Sequence, residues 1–213
     1  MLYPSVVSEL VYERFAEMEI TAGTDPFKLF QSWYDEAVEQ EINDPDAIAL
    51  ASVNSEGVPS VRMVLLRRWS SEGFLFFTNY NSRKSQELVA TGYAAFCVHW
   101  KSLRRQVRVV GNISYSSTEQ SDDYFNSRGR GNQIGAWASK QSQPLASREN
   151  LLAEVANYEK LFPGKVDRPA HWGGFCLKPK EIEFWKDGEF RLHDRFRFLR
   201  KKNGNWSIER LNP

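Results

Sequence analysis

The sequence predicts a mainly β domain with flanking helices, an antiparallel barrel or sandwich, from three observations. Short runs rich in β-branched and aromatic residues recur over 47–115 and 173–210, hairpin-like spacings separate them, and helical periodicity is confined to a few separate stretches. The first helical stretch opens at Asp25-Pro26, with Asp as cap and Pro at the first helical position. Phe27, Phe30, Trp33, Tyr34, Ala37 and Val38 then recur at helical spacing, which predicts an amphipathic helix over 26–41. After Asn43-Asp44-Pro45, strands are predicted at 47–54, 58–68, 73–79, 93–100 and 104–115, with Ser55-Glu56-Gly57 and Ser70-Ser71-Glu72-Gly73 as turns. Helices interrupt at 83–90 and 118–127, SRENLLAEVANYEKLF forms another at 147–162, and 173–185, 189–200 and 205–210 return to strand. Residues 1–24 carry little core pattern and read as an N-terminal arm, mobile or ordered only over a ligand or partner. Residues 25–213 read as a single domain, with no internal repeat, low-complexity tract or dividing linker.

A chain of 213 residues fits one domain, and domains of this size bury about 70% of their unfolded surface, so neither disulfide nor metal is needed to hold it. Cys97 and Cys176 are the only cysteines, and His99, His171 and His193 lack ligand spacing, which argues against a structural zinc site and suits a reducing cytoplasm. The net charge of +1 gives no general attraction to nucleic acid or acidic membranes, so anion binding has to be local. The opening MLYPSVVSELVYERF carries acidic residues where a secretory signal needs an apolar core, and no apolar run reaches the ~18 residues of a membrane span. The expectation is a soluble, cytoplasmic protein. Seven Trp, eight Tyr and fourteen Phe could serve a core, a subunit interface or a flat-ring ligand, and composition does not choose among them.

Five segments carry candidate chemistry. IEFWKDGEFRLHDR, 182–195, reads as a tight hairpin turning at Lys186-Asp187-Gly188, with Arg191, His193 and Arg195 sharing one strand face; three cationic groups on one face call for an anion, although a solvated sheet edge has the same pattern. Arg62-Met63-Val64-Leu65-Leu66-Arg67-Arg68 is a strand bracketed by arginines. Arg62 and Arg67 have opposite strand parity, so a regular strand cannot aim both at one site; a bulge, or two ligands on different sides, would reconcile them. Phe76-Phe77-Thr78-Asn79 leads through Ser82-Arg83-Lys84 into a helix, placing cations in a first turn where the dipole favours anions. In Arg104-Arg105-Gln106-Val107-Arg108, Gln106 and Arg108 share a face opposite Val107 and Val109. YFNSRGRGNQIGAWASKQS, 124–142, fits neither the dinucleotide nor the nucleoside triphosphate loop, and its 128–131 reads as a flexible lid or an ordinary turn.

The Glu-Phe-Trp, short turn, Arg-Leu-His-Asp-Arg run resembles the C-terminal signature of the pyridoxine (pyridoxamine) 5′-phosphate oxidases, and the other segments match that family in order over about 25–213. The resemblance implies an FMN-binding split β-barrel of Greek-key type, assembled as a homodimer with FMN at the subunit interface. It implies that Arg62, Met63, Val64, Leu65, Leu66, Phe77, Thr78, Arg83, Lys84, Gln106, Gln141, Ser142, Trp185 and Arg195 surround FMN. Arg67, Tyr124, Arg128, Asn132, Arg191 and His193 would surround the substrate, with Arg191 and His193 as the catalytic pair against a pyridine ring. The implied reaction oxidises pyridoxine 5′-phosphate or pyridoxamine 5′-phosphate to pyridoxal 5′-phosphate, passing a hydride from the 4′ carbon to flavin N5 and then to dioxygen as hydrogen peroxide. The alternatives are a related flavin oxidase of another ring, as in phenazine biosynthesis, and a noncatalytic FMN or pyridoxal-phosphate binding module. Three positions depart from the family pattern: Arg67 replaces a common lysine, Asn132 a common serine, and an N-terminal Arg-x-x-Tyr segment has only Tyr12 and Arg14, in altered order, as counterparts.

Overall fold

The computed structural model describes residues 20–213; the predicted N-terminal arm, with Tyr12 and Arg14, lies largely outside them. The first helix, α1 (Pro26–Gln40), begins as the sequence dictates: the Asp25 carboxylate accepts from the Phe27 and Lys28 amides at 2.8 and 3.4 Å, and Pro26 takes the first turn. Its apolar stripe buries Phe30, Trp33 and Ala37. Phe30 meets Phe74 edge-on at 5.1 Å, and Phe74 meets Phe96 at 5.1 Å, so α1 packs on a core of interlocked aromatic rings.

The strands are β1 (Ala47–Val53), β2 (Pro59–Ser70), β3 (Gly73–Asn79), β4 (Tyr93–Trp100), β5 (Arg105–Tyr115), β6 (Trp172–Lys186), β7 (Asp194–Arg200) and β8 (Trp206–Arg210). All pair antiparallel in the order β3-β2-β1-β4-β5-β6-β7-β8, and β3 also pairs with β6, closing a six-stranded barrel. β6 does two jobs. Its first half, Trp172–Leu177, closes the barrel on β3, and its second half, Glu181–Lys186, leaves β3 and carries β7 and β8 as an extension. The departure coincides with a register shift at Val110/Gly111 on β5. Gly111 is required there, because a Cβ would stand 2.1 Å from the Lys178 carbonyl oxygen.

Four more helices flank the barrel: α2 (Arg83–Thr91), α3 (Thr118–Ser127), α4 (Arg130–Ala138) and α5 (Arg148–Leu161). Phe125, Ile134, Val166 and Trp172 form a second, smaller core beneath α3 and α4. Among the described residues no helix is long and apolar enough to cross a membrane.

Two predicted elements are corrected. The strand expected at 189–200 begins only at Asp194, and the tight hairpin is a longer connection containing one turn at Glu189–Arg191. Phe190 and Arg191 have φ of 55° and 66°, left-handed values that no strand accommodates, so Arg191, His193 and Arg195 do not share a strand face. The second is α4, a helix that the sequence reading did not foresee: of 128–131, read as a lid or an ordinary turn, Arg128 and Gly129 lie in the bend between α3 and α4, while Arg130 and Gly131 open the helix. Gly129 precedes it at the cap position, and Ile134 and Ala138 anchor it at i, i+4 spacing.

Candidate active site

A concavity of about 750 Å³ lies where β2, β3, α2, α3 and α4 converge, a size usual for a small-molecule site. Its first group of cations arises at the β3 to α2 turn. Ser82 sits at the cap position of α2, but its hydroxyl donates to the Asn79 carbonyl at 2.7 Å, which leaves the first helical turn without a side-chain cap. Arg83 and Lys84 therefore occupy a turn that already attracts negative charge. Lys84 is buried and donates to Thr78 Oγ1, Ser82 Oγ and Gln141 Oε1 at 3.2, 3.2 and 3.0 Å, all neutral oxygens. Burial, reinforced by the charge of Arg62, lowers its pKa to about 8.

Arg62 reaches the same region from β2 and is anchored by a carboxylate that sequence reasoning missed. Glu87 on α2 is 5% exposed. Its Oε2 accepts from Ser52 and Ser60 at 2.6 and 2.5 Å, its Oε1 accepts from Arg83 Nε at 2.7 Å, and Arg62 Nη2 lies 3.4 Å from Oε2. Burial alone would raise the Glu87 pKa; the hydrogen bonds from Ser52, Ser60 and Arg83, with the charge of Arg83, outweigh it and hold the carboxyl at about 2. The one signal in the sequence was the i, i+4 spacing of Arg83 and Glu87.

A second cationic group stands on aromatic walls. Phe77 stacks on Tyr124 at 4.2 Å and on Trp172 at 5.6 Å, and the Arg128 guanidinium lies 4.7 Å over the Trp172 ring. Arg128 Nη1 is buried and, among the described residues, has no hydrogen-bond partner. Burial pushes the Arg128 pKa down, a cost that an anionic ligand would relieve. Arg67 lies 5.6 Å over Tyr124 and pairs with Asp46 at 2.6 Å. Arg62 and Arg67 line one cavity despite their opposite parity, because β2 borders it with consecutive residues, Ser60 to Leu65, of both faces; Leu66 opposes Phe76 and Arg68 opposes Leu75, so Arg67 is the extra residue of a bulge.

Fourteen of the predicted site residues line this cavity: Arg62, Met63, Val64, Leu65, Arg67, Phe77, Thr78, Arg83, Lys84, Tyr124, Arg128, Asn132, Gln141 and Ser142. α4 contributes a low wall of Gly131, Asn132, Gly135, Ala136 and Ser139. A Cβ at Gly131 or Gly135 would meet nothing within 4 Å, so these glycines keep the wall shallow, and they also mask the helix in the sequence.

The other six predicted residues do not line it. Leu66 is buried in the barrel core. Gln106 pairs in register with Trp185, and Trp185 with Arg195, in the barrel extension; the Gly173 to Trp185 stretch of β6 spans about 40 Å of strand contour. There the Arg195 Nε donates to the buried Glu183 at 2.9 Å, and Glu183 also pairs with Arg108. The His193 ring sits 4.7 Å from that of Trp185. Its Nδ1 lies 3.2 Å from the Gly188 N–H, from which it accepts when it carries no proton, and 3.1 Å from Asp187 Oδ1, to which it donates when it carries one. Asp187 is also paired with Arg104. The Arg191 side chain is exposed. The predicted residues are thus divided between the cationic cavity and a separate group around Trp185, His193 and Arg195.

Comparison with known proteins places these features in a family. Residues 34–162 match the family described as Pyridoxamine 5′-phosphate oxidase, and residues 172–213 match the Pyridoxine 5′-phosphate oxidase C-terminal dimerisation region. The chain is 55% identical over 195 residues to a pyridoxine/pyridoxamine 5′-phosphate oxidase of Cereibacter sphaeroides, covering 91% of this chain and 98% of the relative. It is 50% identical over 196 residues to the same-named protein of Mesorhizobium japonicum, with 92% and 96% covered. Among solved structures, PhzG of Burkholderia lata in complex with tetrahydrophenazine-1-carboxylic acid superimposes with a TM-score of 0.84 at 31% identity, over 89% of this chain and 93% of that one. A pyridoxamine 5′-phosphate oxidase-related, FMN binding protein of Nostoc punctiforme shares the fold, with a TM-score of 0.73 at 16% identity over 90% of this chain and 100% of that one.

Proposed function

The chain belongs to the pyridoxamine 5′-phosphate oxidase family, and from that premise we propose that it oxidises pyridoxine 5′-phosphate and pyridoxamine 5′-phosphate to pyridoxal 5′-phosphate. The proposed cofactor is FMN, with dioxygen as acceptor and hydrogen peroxide as product, in the cytoplasm. The carrying observation is one cavity with two separately supported cationic groups, one of which holds a buried guanidinium nitrogen with no partner among the described residues. Two phosphorylated ligands need two such groups, and each charge-assisted hydrogen bond contributes ~1.5–3 kcal/mol.

In this reading Arg62, Arg83 and Lys84 hold the FMN phosphate, and Thr78 and Gln141, already bonded to Lys84, define that end of the cavity. Arg128, Tyr124, Arg67 and Asn132 hold the substrate phosphate. FMN, when bound, supplies the hydride acceptor that dioxygen afterwards regenerates. The protein orients: Phe77, Tyr124 and Trp172 wall the cavity with stacked rings, and α4 excludes water without filling the space. We further propose a homodimer in which the distal cluster of a second copy completes the cavity. Support comes from the dimerisation-region match over 172–213 and from Val61, Met63 and Leu65 on β2, which are 69%, 63% and 37% exposed beside the cavity. His193 would then face the substrate; with its ring proton on Nδ1, donated to Asp187, Nε2 is left to accept from the substrate or take its proton.

Anaerobic mixing of FMN-loaded protein with pyridoxine 5′-phosphate is expected to bleach the flavin absorbance, with colour restored by air and pyridoxal 5′-phosphate released. Unphosphorylated pyridoxine should react poorly. Flavin that stays oxidised with the phosphorylated substrate would overturn the proposed activity.

Lys84 sets a pH dependence for cofactor binding. With its pKa lowered to about 8, the free protein loses this ammonium as pH rises through 8, whereas a phosphate beside it favours the charged form. The bound state therefore holds more protons at high pH, and the FMN Kd should rise above pH 8 by up to about tenfold per unit. Fluorescence titration between pH 7 and 9.5 measures it. A Lys84→Arg variant should flatten the profile, and a wild-type profile already flat would remove Lys84 from phosphate binding.

A further inference from the structure

We propose that Glu87 is a positioning residue for cofactor phosphate: a buried carboxylate that fixes Arg62, through Ser52 and Ser60, and Arg83, directly, in their anion-binding orientation. The inference rests on the reading that Arg62, Arg83 and Lys84 receive the FMN phosphate. Glu87 does not line the cavity, while both arginines that it holds do.

The geometry is that of an orienting bracket. Ser52 and Ser60 each face two ways, donating to Glu87 Oε2 and accepting from Arg62 Nη1 and Nη2 at 2.7 and 2.5 Å. Arg62 Nη1 also donates to the Leu50 carbonyl at 2.9 Å, which fixes the plane of its guanidinium. On the other side Arg83 Nε, and not its terminal nitrogens, is tied to Oε1, so the Nη groups of Arg83 stay free of this bond. Three elements are joined: β1 through Ser52, β2 through Ser60 and Arg62, and α2 through Arg83 and Glu87.

Charge and orientation make opposite predictions here. A carboxylate close to a phosphate site repels a phosphate, so if Glu87 acted only through its charge, neutralising it would tighten FMN binding. If it acts by orientation, neutralising it releases two flexible arginines, whose ordering must then accompany binding, and affinity falls. The structure favours orientation, because both carboxylate oxygens are already engaged by donors and the charge is offset by two guanidinium groups.

The test measures Kd for FMN and for riboflavin, which lacks the phosphate, in apoprotein of wild type, Glu87→Gln and Glu87→Asp, with Tm recorded for each. In wild type, FMN should bind far more tightly than riboflavin; equal affinities would overturn the phosphate assignment itself, before Glu87 is at issue. Glu87→Gln should lower the riboflavin-to-FMN Kd ratio about tenfold by weakening FMN alone, and Glu87→Asp should restore part of it. A general structural role would weaken both ligands and leave the ratio unchanged, which overturns the proposal, as does tighter FMN binding. Should Glu87→Gln not fold, Ser52→Ala decides: Ser52 is 2% exposed and outside the cavity, and its hydroxyl bonds to Glu87, Arg62 and Ser60, so its loss reaches the phosphate through the members of the bracket. A ratio lowered about threefold supports the bracket, and an unchanged ratio removes it.

Discussion

Replacing Arg128 with alanine is expected to lower kcat/KM for pyridoxine 5′-phosphate about 100-fold while FMN affinity stays within about twofold, the equivalent of two charge-assisted hydrogen bonds at the weak end of their range. The guanidinium lies over Trp172 and Phe125 at 4.7 and 5.8 Å, which fixes its plane, and its buried Nη1 has no protein acceptor among the described residues. A cation kept dry beside a cavity, with burial pushing its pKa down, carries a desolvation cost that an arriving phosphate offsets. Arg128→Lys should recover only part of the loss, since an ammonium keeps the charge but neither the fork nor the stacking. Steady-state kinetics beside FMN titration separates the outcomes. A large rise in FMN Kd with little change for substrate would move Arg128 to the cofactor group, and no change in either would leave its burial without a function.

Mixing two inactive variants is expected to restore activity. In the proposed dimer each site joins the cavity of one subunit to the distal cluster of the other. Arg128→Ala damages the cavity, and His193→Asn damages the distal cluster. A mixed dimer then holds one site with both defects and one with neither. Random reassortment makes half the dimers mixed, so about a quarter of wild-type turnover should return from two preparations that are each nearly inactive. If each site were built from one chain, every site in the mixture would carry a defect and no activity would return. Co-expression with two affinity tags, followed by assay of the doubly purified species, reads the difference directly; that species should approach half of wild-type turnover.

Much of the fold was legible because its signals are local. Asp25-Pro26 starts α1 through one carboxylate and two amides within three residues, and β3 and β4 have the predicted bounds because turn residues flank short apolar runs. Where the local signal served the shape of the cavity or a distant contact, it misled. The glycines of α4 suppress helix propensity while keeping the cavity wall low, so the sequence looked like a loop. The alternation after Gly188 looked like a strand, but Phe190 and Arg191 take left-handed conformations in a connection tied back to Arg104 through the Asp187 amide and carboxylate.

The sequence by itself determined most of the inventory of the protein: its strands and helices apart from α4 and the connection at 189–193, the cations available for anions, and, through the run at 182–195, the family. It could do so because capping, periodicity and turn chemistry act over a few residues, and because the motif is contiguous. Only the tertiary structure decided how those groups combine. It set the cavity along β2 where residues of both faces border it, so that Arg62 and Arg67 share it, buried Glu87 behind two arginines 25 and 4 positions away in sequence, and separated the cavity from the cluster around His193. Each of these depends on strand register and on the closure of the barrel by β6, which are set by contacts between segments far apart in the chain.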